Sequence, residues 1–580
     1  MLENAGAVCY TVSILHGGRY MNKNFYGIAP FGSLPNERQL SHFKIGKKAF
    51  FHFGVNTFSD KEWGDGKEAE KLFDPTDIDI REWIRDVKAA GFRLAIITAK
   101  HHDGFCLWPS KYTEHSVKNS PYKNGKGDII REFTDACREF GIKAGIYISP
   151  WDRNAPFWGT DDYSFYYAKQ LEELVTEYGK IDEIWWDGAG SSETRYDWGM
   201  WADIIRKNQP DAVIFGSIGA TPYVDMRWVG NEAGYAGKTH YASINASSLE
   251  VETASELNVG KIGGDRYIPA EVDVSIRPGW FYHKEQDGMV KSARELDNIW
   301  FRSVGNNAIM LLNFPPDRRG RLVRRDVENA IESDRRINEM LASGIMDKAT
   351  VSADSQYCND TGICNAVLAN DELFYASGID KPRAVIEIDA IANSAPFNTL
   401  ILGEMVELGE RITAFKLENL DGDEPEILYT GTSVGYLRAV KFKSGAYKKL
   451  RLTIEGITAP VTLRTLSLNA YDEEKNAEGT RERVELTSLS SAECIIADDG
   501  KSAVIMFGGI FPFDRISFMT RGGSEYRVYA FDGSKYYPIA EGKASTYRVS
   551  IELDEPITAS YQIKIESSMG FQLDPQFSVS

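Results

Sequence analysis

From about residue 48 to residue 313 the chain repeats one unit: a short apolar run followed by an amphipathic segment with helical spacing. The apolar runs are AFFHFGV (49–55), RLAIITA (93–99), KAGIYIS (143–149), DEIWWD (182–187), AVIFGS (212–217) and NAIMLLN (307–313). Between them lie TDIDIREWIRDVKAAG, DIIREFTDACREFG, SFYYAKQLEELVTEYG and DWGMWADIIRKNQ. Three of these four end in a glycine, at Gly91, Gly141 and Gly179. Glycine suits a helix C-terminus because it takes a left-handed conformation without strain. Continuous apolar runs bounded by turns read as strands covered on both faces. So many βα units in one run favour a closed (β/α)8-like barrel over an open sheet. Residues 218–290 are irregular and Gly-rich, and the regular alternation is expected to fail there. The helix RRDVENAIESDRRINEML then closes a barrel domain spanning 25–345.

A chain of 580 residues exceeds what one hydrophobic core serves, so further domains are expected. After 346, strands with alternating polarity are separated by Gly, Asp and Asn turns, as in RAVIEIDA, NTLILGE and LRLTIEG. The expected fold class is therefore α/β plus all-β, with one β-sandwich over 346–475 and a second over 476–580. In the last region, RVYAFDGSKYYPIAEG has a faint look of a discoidin-type carbohydrate-binding module.

A formal charge of −18 repels nucleic acid and anionic membrane surfaces, so neither is an expected partner. Six cysteines without a CxxC pair give no disulfide framework. No stretch approaches the roughly 18 apolar residues of a membrane span. The opening residues 1–24 lack a basic region and a clear cleavage site, which makes a poor signal peptide. They are expected to be an N-terminal extension, with the true start at Met21 within it, and the protein is expected to be cytoplasmic. The oligomeric state is not readable.

Catalytic side chains of such barrels sit at the C-terminal ends of strands and in the loops that follow. Applied here, that rule gathers His52, Glu62 and Trp63 from the first strand and its loop. The second supplies Lys100, His101, His102 and Asp103, the third Tyr147 and Trp151, the fourth Trp185, Trp186 and Asp187. Trp186 reads as core. A zinc site would need a third ligand at metal spacing, and neither HExxH nor HxH occurs, so no metal is expected. Tryptophans beside histidines and carboxylates suit a sugar ring, whose C–H face stacks while its hydroxyls are hydrogen-bonded.

The motifs HFGVNTFSDKEWGDG, GFRLAIITAKHHDGFCLWPSKYTEHSV, GIYISPWD and IWWDG resemble those of the α-L-fucosidases of glycoside hydrolase family 29, in order over roughly 25–345. The resemblance implies a retaining double displacement on terminal L-fucose without cofactor or metal. It makes Asp187 the nucleophile and a fucosylated oligosaccharide the partner, bound through His52, Glu62, Trp63, His101, His102, Tyr147 and Trp185. A retaining enzyme needs a second carboxyl about 5–5.5 Å away to protonate the leaving oxygen. The segment RWVGNEAGYAG resembles the one that carries this acid/base in the subgroup acting on branched α-1,3/1,4-fucosides, and it selects Glu232. Glu250, Glu252, Glu256 and Glu271 are its rivals, with Glu271 next in line. In SIRPGWFYH, Arg277 and Trp280 look like subgroup features near the sugar. Two other readings stay open: another retaining glycosidase such as an α-galactosidase, and a catalytically inactive glycan-binding barrel.

Overall fold

The computed structural model describes residues 24–580 except 190–195, 217–219, 246–253, 369–371, 391–394, 474–485, 487–491, 498, 522, 532–535, 546–547, 572–576 and 580. The expected N-terminal extension, apart from Asn24, lies outside the described residues.

Eight parallel strands close a barrel in chain order: β1 (Lys47–Phe51), β2 (Leu94–Lys100), β3 (Lys143–Ile148), β4 (Glu183–Trp186), β5 (Val213–Gly216), β6 (Met226–Trp228), β7 (Ala270–Ser275) and β8 (Ile309–Asn313). The ring shuts where Phe50 of β1 lies beside both Ile96 of β2 and Asn313 of β8. Six of the strands are the apolar runs of the sequence. β6 and β7 fall within the stretch expected to be irregular.

The surrounding helices begin where an aspartate can cap them. Asp79, Asp128 and Asp197 each accept a hydrogen bond from the backbone N–H three residues on, starting Ile80–Ala89, Ile129–Phe140 and Trp198–Asn208. Gly141 ends the second of these with φ +68°. The main core lies between this helix layer and the outer faces of the strands, and includes Trp83, Phe133, Ile146, Trp186 and Trp201.

At the N-terminal mouth the helix Glu37–Ile45, fixed by an Asn36/Gln39 capping box, covers a buried charge cluster. Lys48 Nζ lies 2.7 Å from Glu183 Oε2 and is also bonded to Glu271, with all three side chains fully buried. His42 Nδ1 sits 3.6 Å from the same Glu183 oxygen. Burial alone would lower the Lys48 pKa, but Glu183 and Glu271 outweigh it and leave the ammonium charged.

Regularity fails between β5 and β7. Among the described residues, the 3-10 turn Thr221–Tyr223 is the one element between β5 and β6, and a short helix (Ala254–Val259) with a ribbon of Ser243–Ile244 against Arg266–Tyr267 lies between β6 and β7. The first C-terminal domain fills that flank. Its Glu410 carboxylate accepts from Ala242 N (2.9 Å), Ser243 N (3.1 Å) and Asn307 Nδ2 (2.6 Å), and Tyr436 stacks on Phe43 at 4.6 Å.

That domain is a sandwich of a five-stranded and a three-stranded antiparallel sheet. Ile386, Leu417, Leu452 and Ile454 of one sheet meet Leu400, Leu402, Leu466 and Leu468 of the other in a single core. The last domain falls where the second sandwich is expected. Among the described residues it is one six-stranded antiparallel sheet whose long strands Ser502–Met519 and Arg548–Ser567 shift register three times along their pairing. Bulges bend strands, so both halves of this pair enclose one core containing Ile505, Phe507, Ile516, Phe518 and Ile563. Among the described residues, no helix is long and apolar enough to cross a membrane.

Candidate active site

The C-terminal ends of β1 to β4 and the loop after β7 converge on one cleft. Along β4 successive side chains alternate. Trp185 points into the barrel, where its Nε1 donates to Glu271 Oε1 at 2.8 Å and its ring stacks on Phe215 at 4.1 Å. Trp186 points outward against Trp198 and Trp201. Asp187 follows at the mouth. Tyr147 OH donates to its Oδ2 at 2.9 Å and Ala189 N to its Oδ1 at 2.8 Å, so both oxygens have a donor and the carboxylate is fixed. Its side chain keeps 23% of its surface exposed, enough for a ligand to reach it.

Three imidazoles, His52, His101 and His102, cluster at the neighbouring strand ends. His52 Nδ1 lies 3.0 Å from Asn313 Oδ1, an acceptor that assigns the proton to Nδ1 and leaves Nε2 as a lone pair. Burial pushes the His52 pKa down to about 3, so the ring is neutral. His101 and His102 are neighbours in sequence and would face opposite ways on an extended strand. The chain instead turns at once: Gly104 N donates to His101 O at 3.0 Å, with Gly104 at φ +81°, and the two rings lie 4.0 Å apart. A Cβ on Gly104 would meet Asp152 Oδ1 at 2.4 Å, so the turn has room only for glycine. His101 stacks on Tyr147 at 5.7 Å, while His102 Nδ1 bonds Ser149 Oγ at 2.7 Å. His102 Nε2 is 3.7 Å from Asp187 Oδ2, too far for a hydrogen bond. Burial lowers the pKa of both rings; nearby Asp187 partly offsets this for His102. Trp63, 54% exposed, stands edge-on to His102 at the rim.

The opposite wall is the loop after β7. Glu62 holds it by accepting from Trp280 N (2.8 Å) and Phe281 N (3.2 Å). His283 Nε2 is 2.6 Å from the same carboxylate. Burial would lower the His283 pKa, but its bonds to Glu62 and Asp60 raise it to about 9. The Trp280 ring lies 4.9 Å from His52, and its Nε1 donates to Glu232 Oε2 at 2.9 Å. Glu232, half-buried in the loop after β6, also accepts from Tyr561 OH. Burial chiefly, with the charges of Asp187 and Glu62, pushes the Glu232 pKa up to about 8 against the opposing Trp280 bond. The cleft therefore holds one carboxylate fixed by donors and one carboxyl that keeps its proton at neutral pH.

A family model described as α-L-fucosidase matches residues 35–332. The chain is 38% identical to α-L-fucosidase 1 of Arabidopsis thaliana over 425 residues, 71% of this chain and 82% of that one. The chain belongs to the α-L-fucosidase family. A Bacteroides thetaiotaomicron structure assigned to the α-L-fucosidases is 41% identical, with a TM-score of 0.74 over 77% of this chain and all of the other. A glycoside hydrolase 29 family member from an unknown rumen bacterium is 31% identical, with a TM-score of 0.70. It covers 95% of this chain and all of its own, so that likeness extends over the last β-domain.

In this fucosidase, then, the geometry brings together His52, Glu62, Trp63, His101, His102, Tyr147, Trp185, Asp187, Glu232 and Trp280. It does not bring Arg277 to the cleft. That guanidinium is fully buried and donates to both oxygens of Asp326 (2.7 and 3.0 Å) and to Asp287 (2.8 Å), tying the loop after β7 to the helix Arg324–Ala342. Glu271, the reserve for the acid, is bound to Lys48 and Trp185 deep in the barrel. Glu256 is exposed, and Glu250 and Glu252 lie outside the described residues.

Two residues escaped sequence reasoning. Asp273 of β7 is 3% exposed, and its Oδ1 has no hydrogen-bond partner among the described residues. Burial first, then Glu232, Glu271 and Asp187, hold its carboxyl well above the usual range. The alternation of Glu271, Asp273 and Ser275 in AEVDVS was the available signal for a strand with one polar face. For Tyr561, 329 residues from its partner, the sequence offers no signal.

Proposed function

We propose that this fucosidase releases terminal α-1,3- or α-1,4-linked L-fucose from Lewis-type oligosaccharides or glycoconjugates by retaining double displacement. Asp187 attacks C1 of the fucose as the bond to the leaving oxygen breaks, and Glu232 gives that oxygen its proton. Glu232, now a carboxylate, takes a proton from water, the water oxygen attacks C1, and Asp187 is released. The observation that carries this reading is the contrast between the two carboxyls. Asp187 is held by two donors at a strand end, while Glu232 stays protonated to about pH 8. The neutral histidines supply acceptors and donors for sugar hydroxyls, and Trp280 and Trp63 offer ring faces and edges to its apolar side. For the linkage, support comes from the likeness of 227–237 to the corresponding segment of the branched-fucoside subgroup.

The test is proton NMR of the first anomer released, together with Asp187→Ala. Retention predicts α-L-fucose first, and the variant should fold normally yet lose at least about a thousandfold in turnover, as expected for a missing nucleophile. Initial release of the β-anomer, or near-normal turnover in Asp187→Ala, overturns the mechanism. Faster cleavage of 2′-fucosyllactose than of 3- or 4-fucosylated galactosyl-GlcNAc units overturns the linkage reading alone.

A further inference from the structure

The groups that surround the candidate acid do not all come from the barrel. Tyr561 lies on the 20-residue strand Arg548–Ser567 of the last domain, and its hydroxyl donates to Glu232 Oε2, the oxygen that also takes Trp280 Nε1. The strand is built to deliver it. Gln562 pairs with Met506 and Ser560 with Phe511, so residues 507–510 bulge out opposite Tyr561 alone. A bulge re-aims the side chains around it. This one rests on the barrel: Ile510 N donates to Pro278 O at 2.9 Å, and a Cβ on Gly509 would come within 2.9 Å of the same oxygen. Met289, from the barrel domain, joins the core of the last domain beside Phe507 and Phe511. Ser560, next to Tyr561, is fixed by bonding Phe531 N (3.1 Å) and Phe531 O (2.9 Å). Pro278 and Met289 flank the segment that carries Trp280. Both donors to Glu232 are thus set by one contact between domains.

A carboxyl oxygen has two lone pairs, and one that already accepts two hydrogen bonds has no place for a proton. We propose that Tyr561 is a positioning residue for the general acid: with Trp280 it saturates Oε2 of Glu232 and so places the transferable proton on Oε1, toward the leaving oxygen. The acid must touch the departing group, so the last domain also walls the side from which that sugar leaves. The proposal rests on Glu232 being the acid.

The experiment uses the full chain carrying Tyr561→Phe, which keeps the ring and loses only the hydroxyl. kcat/KM is measured on a fucosylated oligosaccharide, whose leaving oxygen needs protonation, and on a dinitrophenyl fucoside, whose leaving oxygen does not. The expected loss is about 10–100-fold on the first, the rate equivalent of one hydrogen bond to a charged group, and less than about threefold on the second. The alkaline limb of the oligosaccharide profile should also move to higher pH, because the carboxylate loses a donor. Both rates come from one preparation, so their ratio does not depend on how much of the variant is folded. Equal losses on the two substrates, or no change on either, overturn the proposal. Glu232→Ala, assayed in parallel, separates the two readings. If it too hits both substrates equally, the acid is misassigned; if it is selective while Tyr561→Phe is silent, only the positioning role falls.

Discussion

Glu232→Gln should make the protein more stable, and only at neutral and alkaline pH. The Glu232 carboxyl stands at about 8 instead of 4.5, chiefly through burial, with Asp187 and Glu62 adding to the shift and the Trp280 bond opposing it. Below pH 4.5 the folded and unfolded chains both hold this proton, and the group does not favour either. Between 4.5 and 8 the unfolded chain releases it while the folded chain keeps it, so stability falls with rising pH by about 1.36 kcal/mol per unit. Across the whole window the ceiling is roughly 5 kcal/mol. Glutamine keeps a carbonyl oxygen that can accept from Trp280 and Tyr561, and it never ionises. Solvent reaching a half-buried group, and an imperfect fit for the new amide, bring the expected gain at pH 8.5 to about 1–3 kcal/mol. For a cooperative unit of ~300 residues that is roughly 2–5 °C in Tm. Scanning calorimetry of both proteins at pH 4.5 and pH 8.5 reads it directly. A Tm difference of equal size at the two pH values, or a variant that melts lower at pH 8.5, refutes the reasoning.

Two further outcomes follow from the same contacts. The alkaline limb of kcat/KM on an oligosaccharide should lie near pH 8, and Trp280→Phe should move it upward, since that indole donor holds the Glu232 pKa down; a limb that stays put in the variant contradicts the assigned bond. Arg277→Ala leaves Asp326 buried without its partner and should cost about 3–5 kcal/mol in stability, with KM of the folded fraction little changed. A raised KM with an unaltered melting curve would return Arg277 to the sugar site.

Six barrel strands were legible because their residues are apolar on both faces, as a strand between a helix layer and a filled lumen must be. β7 was not, although all six of its residues are buried. Its lumen face carries Glu271, Asp273 and Ser275, and a polar alternation reads as a strand half in water. Here Glu271 is paired with Lys48 and Trp185, and burial holds the Asp273 carboxyl well above the usual range, which disfavours its charged form away from solvent. β6 is three residues long, and its Arg227 donates to the backbone oxygens of Leu257, Ala242 and Tyr241, a pattern that only the folded chain reveals. The strand-end rule gathered most of the cleft because barrel geometry alone places those residues together. Arg277 was misread for a related reason: a buried arginine beside a tryptophan motif looks the same in sequence whether its partner is a ligand or an aspartate. The bulge at 507–510 depends on how two distant strands pair, which no local pattern encodes.

The flank between β5 and β7 has a consequence for how the chain is made. Among the described residues no full-length barrel helix covers it, and Glu410 and Tyr436 supply contacts there. A ribosome adding about 5–20 residues per second delivers β8 roughly 5–20 seconds before Glu410 has emerged. During that interval the ribbon around Ala242 and Ser243 lacks its carboxylate anchor, and a nascent barrel with every strand already synthesised is still open on one side. Chaperone binding to translating chains should therefore peak after β8 is exposed and end once the first sandwich is out.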